Sequence, residues 1–234
     1  MRSRFLNFMS LNLQLRNWLL AFSLIVTALV ALPAFAKLTN SGLINPGTQT
    51  IVVLGDSLSA GYGIGQNQGW VMLLQARLTQ QKLPYQVVNA SISGETTSGG
   101  LARFSEMLAT HKPSIVILEL GANDGLRGLP VSDMRNNLNK MILQAKVANT
   151  KLLLVGMRVP PNYGQKYSRD FSANYTILAK QHKIKLVPFL LDGVAGKPSL
   201  MQDDDLHPTT AAQPALLDNV WKILEKMLKN KDVL

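Results

Sequence analysis

The sequence predicts an α/β domain built on a mainly parallel sheet of five strands. Two observations carry that prediction. Short runs of β-branched and other apolar residues alternate along the chain with stretches whose apolar residues recur at helical spacing. Strands that alternate with helices pair in parallel through right-handed crossovers, with helices on both faces. The 234 residues contain no internal repeat or low-complexity segment and suit one domain with a sizeable core plus an extra segment.

That extra segment is residues 1–36. Arg2, Arg4 and Arg16 stand in it with no acid, Trp18–Leu32 is apolar, and Ala34-Phe35-Ala36 is a small-x-small site. This pattern predicts a signal peptide cleaved near Ala36. The competing reading is an uncleaved membrane anchor, because Trp18–Phe35 approaches spanning length. Residues 37–49 are polar with glycine and proline and read as a lead-in segment; the folded domain is expected over 50–234.

The first strand is Ile51–Leu54, stopped by Gly55. Val71, Leu74 and Leu78 give Trp70–Leu78 a helical spacing, and Tyr85–Asn89 is the second strand. Ser91–Gly100, SISGETTSGG, reads as a loop of small polar residues, followed by a helix marked by Leu101, Phe104, Met107 and Leu108. Ile115–Leu120 is continuously apolar apart from Glu119 and reads as a fully buried third strand. Glu119 should then be buried and paired, but the sequence names no partner. Gly121–Pro130 is expected as a loop. The next helix carries Met134, Leu138, Met141, Ile142 and Ala145, with Ser132 or Asp133 as its cap. Lys151–Met157 is the fourth strand and Arg158–Gly164 its loop. A helix with Phe171, Tyr175, Leu178, Ala179 and His182 on one face leads to a fifth strand, Lys185–Phe189. Leu216, Val220, Ile223, Leu224 and Met227 line the last helix, which Pro214 either bends or begins.

Composition excludes several functions. With no cysteine there is no disulfide, thiol nucleophile, zinc–thiolate site or lipidated cysteine. Export without disulfides fits a bacterial periplasmic or secreted protein. The net charge is +10, and removing three arginines and no acids with the leader leaves +7. No basic patch interleaved with aromatics accompanies it, so nucleic acid is not an expected partner. Lys222–Lys231 reads as the solvated face of the last helix. The charge allows weak association with anionic membrane surfaces, and a monomer is expected.

In a parallel sheet the loops after the first three strands share one edge, where ligands bind. Those loops hold Ser57, Gly94 and Asn123. By itself Ser57 is equally a nucleophile or a helix cap. Near the end of the chain, Asp204 and His207 stand three apart before a helix. They can join Ser57 as a nucleophilic triad, in which histidine takes the serine proton and the carboxylate orients the imidazole. Two other readings stay open: Asp203, Asp204 and Asp205 as helix caps, or as part of a divalent metal site with His207. The backbone N–H groups of Ser57 and Gly94 and the Asn123 amide are candidate donors to an oxyanion. Gly94 is otherwise a turn glycine, and Asn123-Asp124-Gly125 an ordinary turn signal.

The combination Gly55-Asp56-Ser57-Leu58, Gly94, Gly121-Ala122-Asn123-Asp124 and Asp204-Asp205-Leu206-His207 resembles the GDSL, or SGNH, hydrolase family over roughly residues 50–230. LGDSLSAGYG, VNASISGETT, LELGANDGLRG and MQDDDLHPTTAAQP are similar to its bacterial periplasmic thioesterase I/lysophospholipase/arylesterase subgroup. The resemblance implies a flavodoxin-like three-layer α/β/α domain. It implies Ser57 as nucleophile, His207 as general base and then acid, and Asp204 as orienting carboxylate. Ser57, Gly94 and Asn123 would form the oxyanion hole, with no metal or organic cofactor. The substrate would be a small-molecule acyl ester, thioester or lysophospholipid, acting through a Ser57 acyl-enzyme. Ser59 is the rival nucleophile, but Ser57 follows the strand more directly. The G-x-S-x-G elbow of α/β-hydrolases is not met, because Ser59 stands two residues after Ser57.

Candidate walls of an acyl pocket are Leu126, Leu129 and Pro130 in the third loop, and Val159, Pro160, Pro161 and Tyr163 in the fourth. The alternative within the family is a carbohydrate O-acetylesterase. The alternative of another class is a non-catalytic flavodoxin-like module cradling a phosphate. Against the latter, there is no G-x-x-x-x-G-K-[ST], and Gly61-Tyr62-Gly63-Ile64-Gly65 is not G-x-G-x-x-G.

Overall fold

The computed structural model describes residues 47–229. The expected leader, with its cleavage site, and most of the lead-in segment lie outside the described residues. Five strands form one sheet: β1 (Gln49–Gly55), β2 (Tyr85–Asn89), β3 (Ile115–Glu119), β4 (Lys151–Val155) and β5 (Lys185–Val187). Their order is β2-β1-β3-β4-β5, and every pairing is parallel. Both faces of the central strands are covered, so Ile51–Leu54 and Ile115–Leu118 are completely or almost completely buried. That is why they read as continuous apolar runs rather than alternating ones.

The helices are α1 (Ser57–Ala60), α2 (Trp70–Gln80), α3 (Thr97–His111), α4 (Ala122–Leu126), α5 (Val131–Val147), α6 (Gln165–His182) and α7 (Gln213–Lys229). The sheet order dictates their layers. The crossover from β1 to β2 runs one way across the sheet, and those from β2 onward run the other. With one handedness for all crossovers, α2 falls on the face opposite α3, α5 and α6. Accordingly α2 packs with α7, while α3, α5 and α6 form a row. The result is the expected three-layer α/β/α domain. Among the described residues no helix is long and apolar enough to cross a membrane.

Several expected boundaries are corrected. The loop expected over Ser91–Gly100 ends early, since α3 begins at Thr97 with Thr96 accepting from the Gly99 N–H at 3.3 Å. Gly99 and Gly100 suggest a turn, but Gly100 serves close helix–sheet packing: a Cβ there would meet Leu120 Cδ1 at 2.3 Å. The loop after β3 contains the short helix α4. Neither Ser132 nor Asp133 caps α5, whose cap position is Pro130 with no side-chain hydrogen bond. The helix starts at Val131, before the polar pair, so Asp133 falls inside its first turn, where a carboxylate complements the helix dipole. The loop after β4 includes a 3-10 turn, Pro161–Tyr163. Pro214 falls in the first turn of α7, which starts at Gln213.

One helix start is supplied from outside its own segment. The N-cap position of α2 is Gly69, with no side chain to cap with, and Gln213 Oε1 of α7 accepts the Trp70 N–H at 3.0 Å instead.

Candidate active site

β1 delivers Ser57. Asp56 caps the single turn of α1, its carboxylate accepting the Leu58 N–H at 3.0 Å. The cap role that Ser57 could have filled is therefore taken by its neighbour, and the Ser57 side chain is left free for His207. Ser57 Oγ and His207 Nε2 are 2.8 Å apart.

His207 is presented by a turn that its own partner builds. Asp204 Oδ1 accepts the Leu206 and His207 N–H groups, each at 2.9 Å, and Oδ2 meets His207 Nδ1 at 2.6 Å. The Gln202 N–H donates to the His207 carbonyl at 2.7 Å and closes the turn. The tautomer with hydrogen on Nδ1 satisfies both contacts, donating to Asp204 and accepting from Ser57. Burial opposes ionisation of Asp204, but the His207 ring and the two backbone N–H groups outweigh it and hold the carboxyl down at about 2. The aspartates do not cap α7, which starts at Gln213. Among the described residues no group of three His, Asp or Glu side chains converges to hold a metal ion.

Asn123 stands in the first turn of α4, after β3. Its amide donates to the Glu95 carbonyl at 3.0 Å and to Asp56 Oδ2 at 3.2 Å. The amide therefore borders the Gly94–Glu95 loop and the turn that carries Ser57 together. Gly94 has φ +79, a left-handed conformation suited to glycine, and its carbonyl accepts from Arg127 at 3.0 Å. That loop is anchored from behind by buried Asp124, which accepts the Thr97 N–H at 2.8 Å and the Thr97 hydroxyl at 2.6 Å. Asp56 is buried, and burial pushes its carboxyl up to about 6 against the lowering effect of Leu58, His207 and Asn123.

A cavity of about 620 Å³ opens beside Ser57 and His207. Of the expected walls, Leu126, Val159, Pro160 and Pro161 line it. Leu129, Pro130 and Tyr163 do not; Tyr163 instead fixes the wall from outside, its hydroxyl donating to the Leu126 carbonyl at 2.7 Å. Phe189, Leu191 and Met201 line the cavity although the sequence did not single them out. They come from the segment after β5, whose apolar residues read as strand or core.

Two further residues were missed. Tyr62 lies against the His207 ring, with centroids 4.5 Å apart and planes tilted by 42°. Gln202 joins the two segments by donating to the Tyr62 and Pro208 carbonyls at 2.9 and 3.1 Å. Tyr62 was visible only as one residue in a glycine-rich stretch, and nothing in the sequence marks Gln202.

Ser57, His207 and Asp204 thus form a hydrogen-bonded chain at the mouth of an apolar cavity, beside an amide and a glycine loop. Such an arrangement can remove a serine proton, attack a carbonyl and stabilise the oxyanion. Residues 53–214 match the GDSL-like lipase/acylhydrolase family. The chain is 51% identical over 180 residues to esterase TesA of Pseudomonas aeruginosa, covering 77% of this chain and 90% of the relative. It is 42% identical over 181 residues to thioesterase 1/protease 1/lysophospholipase L1 of Escherichia coli K12, covering 77% and 86% respectively. Its fold matches the crystal structure of TesA with a TM-score of 0.75 at 50% identity, covering 76% of this chain and 99% of that one.

Proposed function

From the premise that the chain belongs to the GDSL-like lipase/acylhydrolase family, we propose the following mechanism for its site. The enzyme is an esterase and thioesterase, hydrolysing acyl esters and thioesters. Ser57 is the nucleophile. The observation that carries this role is the continuous chain Ser57 Oγ to His207 Nε2 at 2.8 Å and His207 Nδ1 to Asp204 Oδ2 at 2.6 Å.

In the first step His207 takes the Ser57 proton as the oxygen attacks the acyl carbonyl. The tetrahedral oxyanion is met by the Ser57 and Gly94 N–H groups and by Asn123. Both Asn123 N–H bonds are engaged in the free enzyme, so the one given to the Glu95 carbonyl turns to the oxyanion while Asp56 keeps the other. His207 then gives its proton to the leaving oxygen or sulfur, and an acyl-enzyme remains. Water, deprotonated by His207, releases the acid in the second step. Asp204 holds the imidazole tautomer and stabilises its charge in both steps.

The apolar walls contributed by Leu126, Val159, Pro160, Phe189 and Leu191 favour an acyl chain over an acetyl group on a sugar. Fatty acyl thioesters, lysophospholipids and aryl or short-chain esters are the substrates to compare. A fluorophosphonate probe should label Ser57, and Ser57→Ala should lose both labelling and turnover. Undiminished hydrolysis by that variant would end this reading. The leader composition further supports export with cleavage near Ala36, which the amino-terminal mass of the secreted protein checks.

A further inference from the structure

Glu119 is a buried carboxyl to which the acyl-transfer steps assign no task. It ends β3 beside Gly55 of β1, its register partner, under the turn that carries Ser57. It is fully buried. The Ser59 hydroxyl donates to its Oε2 at 2.6 Å, and the Asp56 N–H lies 3.4 Å from the same oxygen. Oε1 is buried with no hydrogen-bond partner among the described residues. Gly55 leaves room for this arrangement and for nothing more: a Cβ there would stand 2.5 Å from Glu119 Oε2 and 2.8 Å from Ser59 Oγ.

We propose that Glu119 is a positioning residue of the nucleophile turn: its neutral carboxyl clamps Ser59 and the Asp56 N–H, holds Ser57 toward His207, and leaves the single negative charge of the carboxyl pair on Asp56, where it orients Asn123. This rests on the Ser57 acyl-transfer reading. A fully buried carboxylate with no cation beside it among the described residues is far costlier than the neutral acid. The hydrogen of the 2.6 Å contact can lie on either oxygen. With the acid hydrogen on Oε2 the short bond runs from Glu119 to Ser59 Oγ, and what goes unmet is a carbonyl lone pair at Oε1 and the Ser59 hydroxyl hydrogen, neither of them charged.

The surrounding groups divide the charge in the same way. Burial first, then repulsion from Asp56, pushes the Glu119 carboxyl well above the usual range. Asp56 is the better seat for the charge, because it accepts from Leu58 and Asn123 and feels His207. The other groups facing the pair are Asp124, which acts on Asp56, and the buried Tyr175 phenol, which feels both carboxyls and Asp124. Neither supplies a positive charge.

The test compares Glu119→Gln and Glu119→Ala in the full chain. Glutamine offers one acceptor and one donor in the same plane as the neutral acid; alanine offers neither. For each variant, kcat and KM on an acyl thioester, the fluorophosphonate labelling rate and the near-UV circular dichroism are measured from about pH 5 to about pH 9. Glu119→Gln should keep kcat and labelling within about threefold, with the acid limb of the profile unmoved. Glu119→Ala should lower kcat and labelling together by about 10- to 100-fold, with KM within about twofold, as a misplaced nucleophile does. Native kcat in a folded Glu119→Ala overturns the proposal. So does a Glu119→Gln as slow as the alanine variant, or an acid limb moved to lower pH by removing a charge that Glu119 in fact carried. If Glu119→Ala does not fold, the rate and acid limb of Glu119→Gln decide alone. The underlying reading fails separately, by absence of Ser57 labelling in the unaltered enzyme.

Discussion

Asp204 receives two backbone N–H groups on one oxygen and the His207 ring on the other, so it shapes the turn and orients the imidazole at once. Asp204→Asn can keep the backbone bonds but offers an amide N–H where the ring N–H must donate, or else turns the imidazole to the wrong tautomer. Steady-state kinetics should show kcat lower by about 10³-fold or more, with KM little changed. The two acids of the site act on stability in opposite directions. Asp204, held down at about 2 from an ordinary 3.8, contributes stability that is present above pH 3.8 and lost as pH falls through about 2. Asp56, raised from 3.8 to about 6, favours the folded state below pH 3.8, and that contribution is lost as pH rises through about 6. Asp56→Asn removes the second dependence and keeps an acceptor for the Leu58 N–H. Its melting temperature relative to the unaltered protein should therefore rise as pH passes from about 4 to about 7. A constant difference across that range would refute the assignment.

The elements are held in place by groups far apart in sequence. The start of α2 is capped by Gln213, at the start of α7, which also donates to the Thr209 carbonyl at 3.2 Å. Gln213 is buried, so Gln213→Ala leaves the buried Trp70 N–H without its acceptor. A loss of about 1–2 kcal/mol in urea unfolding is expected, with kcat unchanged. The same distance in sequence hid this cap from pattern reading, since the partners stand 143 positions apart and nothing between them signals it. The Ser132/Asp133 cap was misplaced for a related reason. A cap motif lists groups able to bond, but the helix begins at Val131 with no side-chain cap, so both residues fall inside its first turn.

For the molecule as a whole, the sheet order creates the crevice. Chains leaving β1 and β3 turn to opposite faces, so the carboxyl ends of these neighbours stand open between their loops. Ser57 leaves one strand and Asn123 follows the other, 3.2 Å apart at Asp56 Oδ2 and the Asn123 amide. The core beneath contributes to the stability of this frame rather than to the chemistry at its edge. Ile117, completely buried in the central strand β3, is the place to measure it. Ile117→Ala should cost about 2–5 kcal/mol in equilibrium unfolding, while the fraction of folded molecules labelled at Ser57 stays the same.

The five strands, their parallel pairing and the grouping of Ser57, Gly94, Asn123, Asp204 and His207 at one edge were legible in the sequence. The strands and the edge shared by Ser57, Gly94 and Asn123 rest on local pattern: a continuous apolar run marks a strand covered on both faces, and alternation with helices forces the crossovers that bring the loops together. The joining of Asp204 and His207 to that edge rested on the family resemblance. Asp204 and His207 were legible as a pair because three residues span one turn. The rest was decided by contacts between segments that sequence spacing does not record. Asp56, not Ser57, took the cap, and Glu119 found Ser59 across the β1–β3 pairing. Phe189 and Leu191 became cavity wall while Leu129 and Pro130 did not, because an apolar side chain lowers its free energy by leaving water on any available surface. The hydrophobic effect has no direction, so an apolar residue predicts burial and not the neighbour it is buried against. Hydrogen bonds and charges are directional, but their partners here are brought together only by the completed fold.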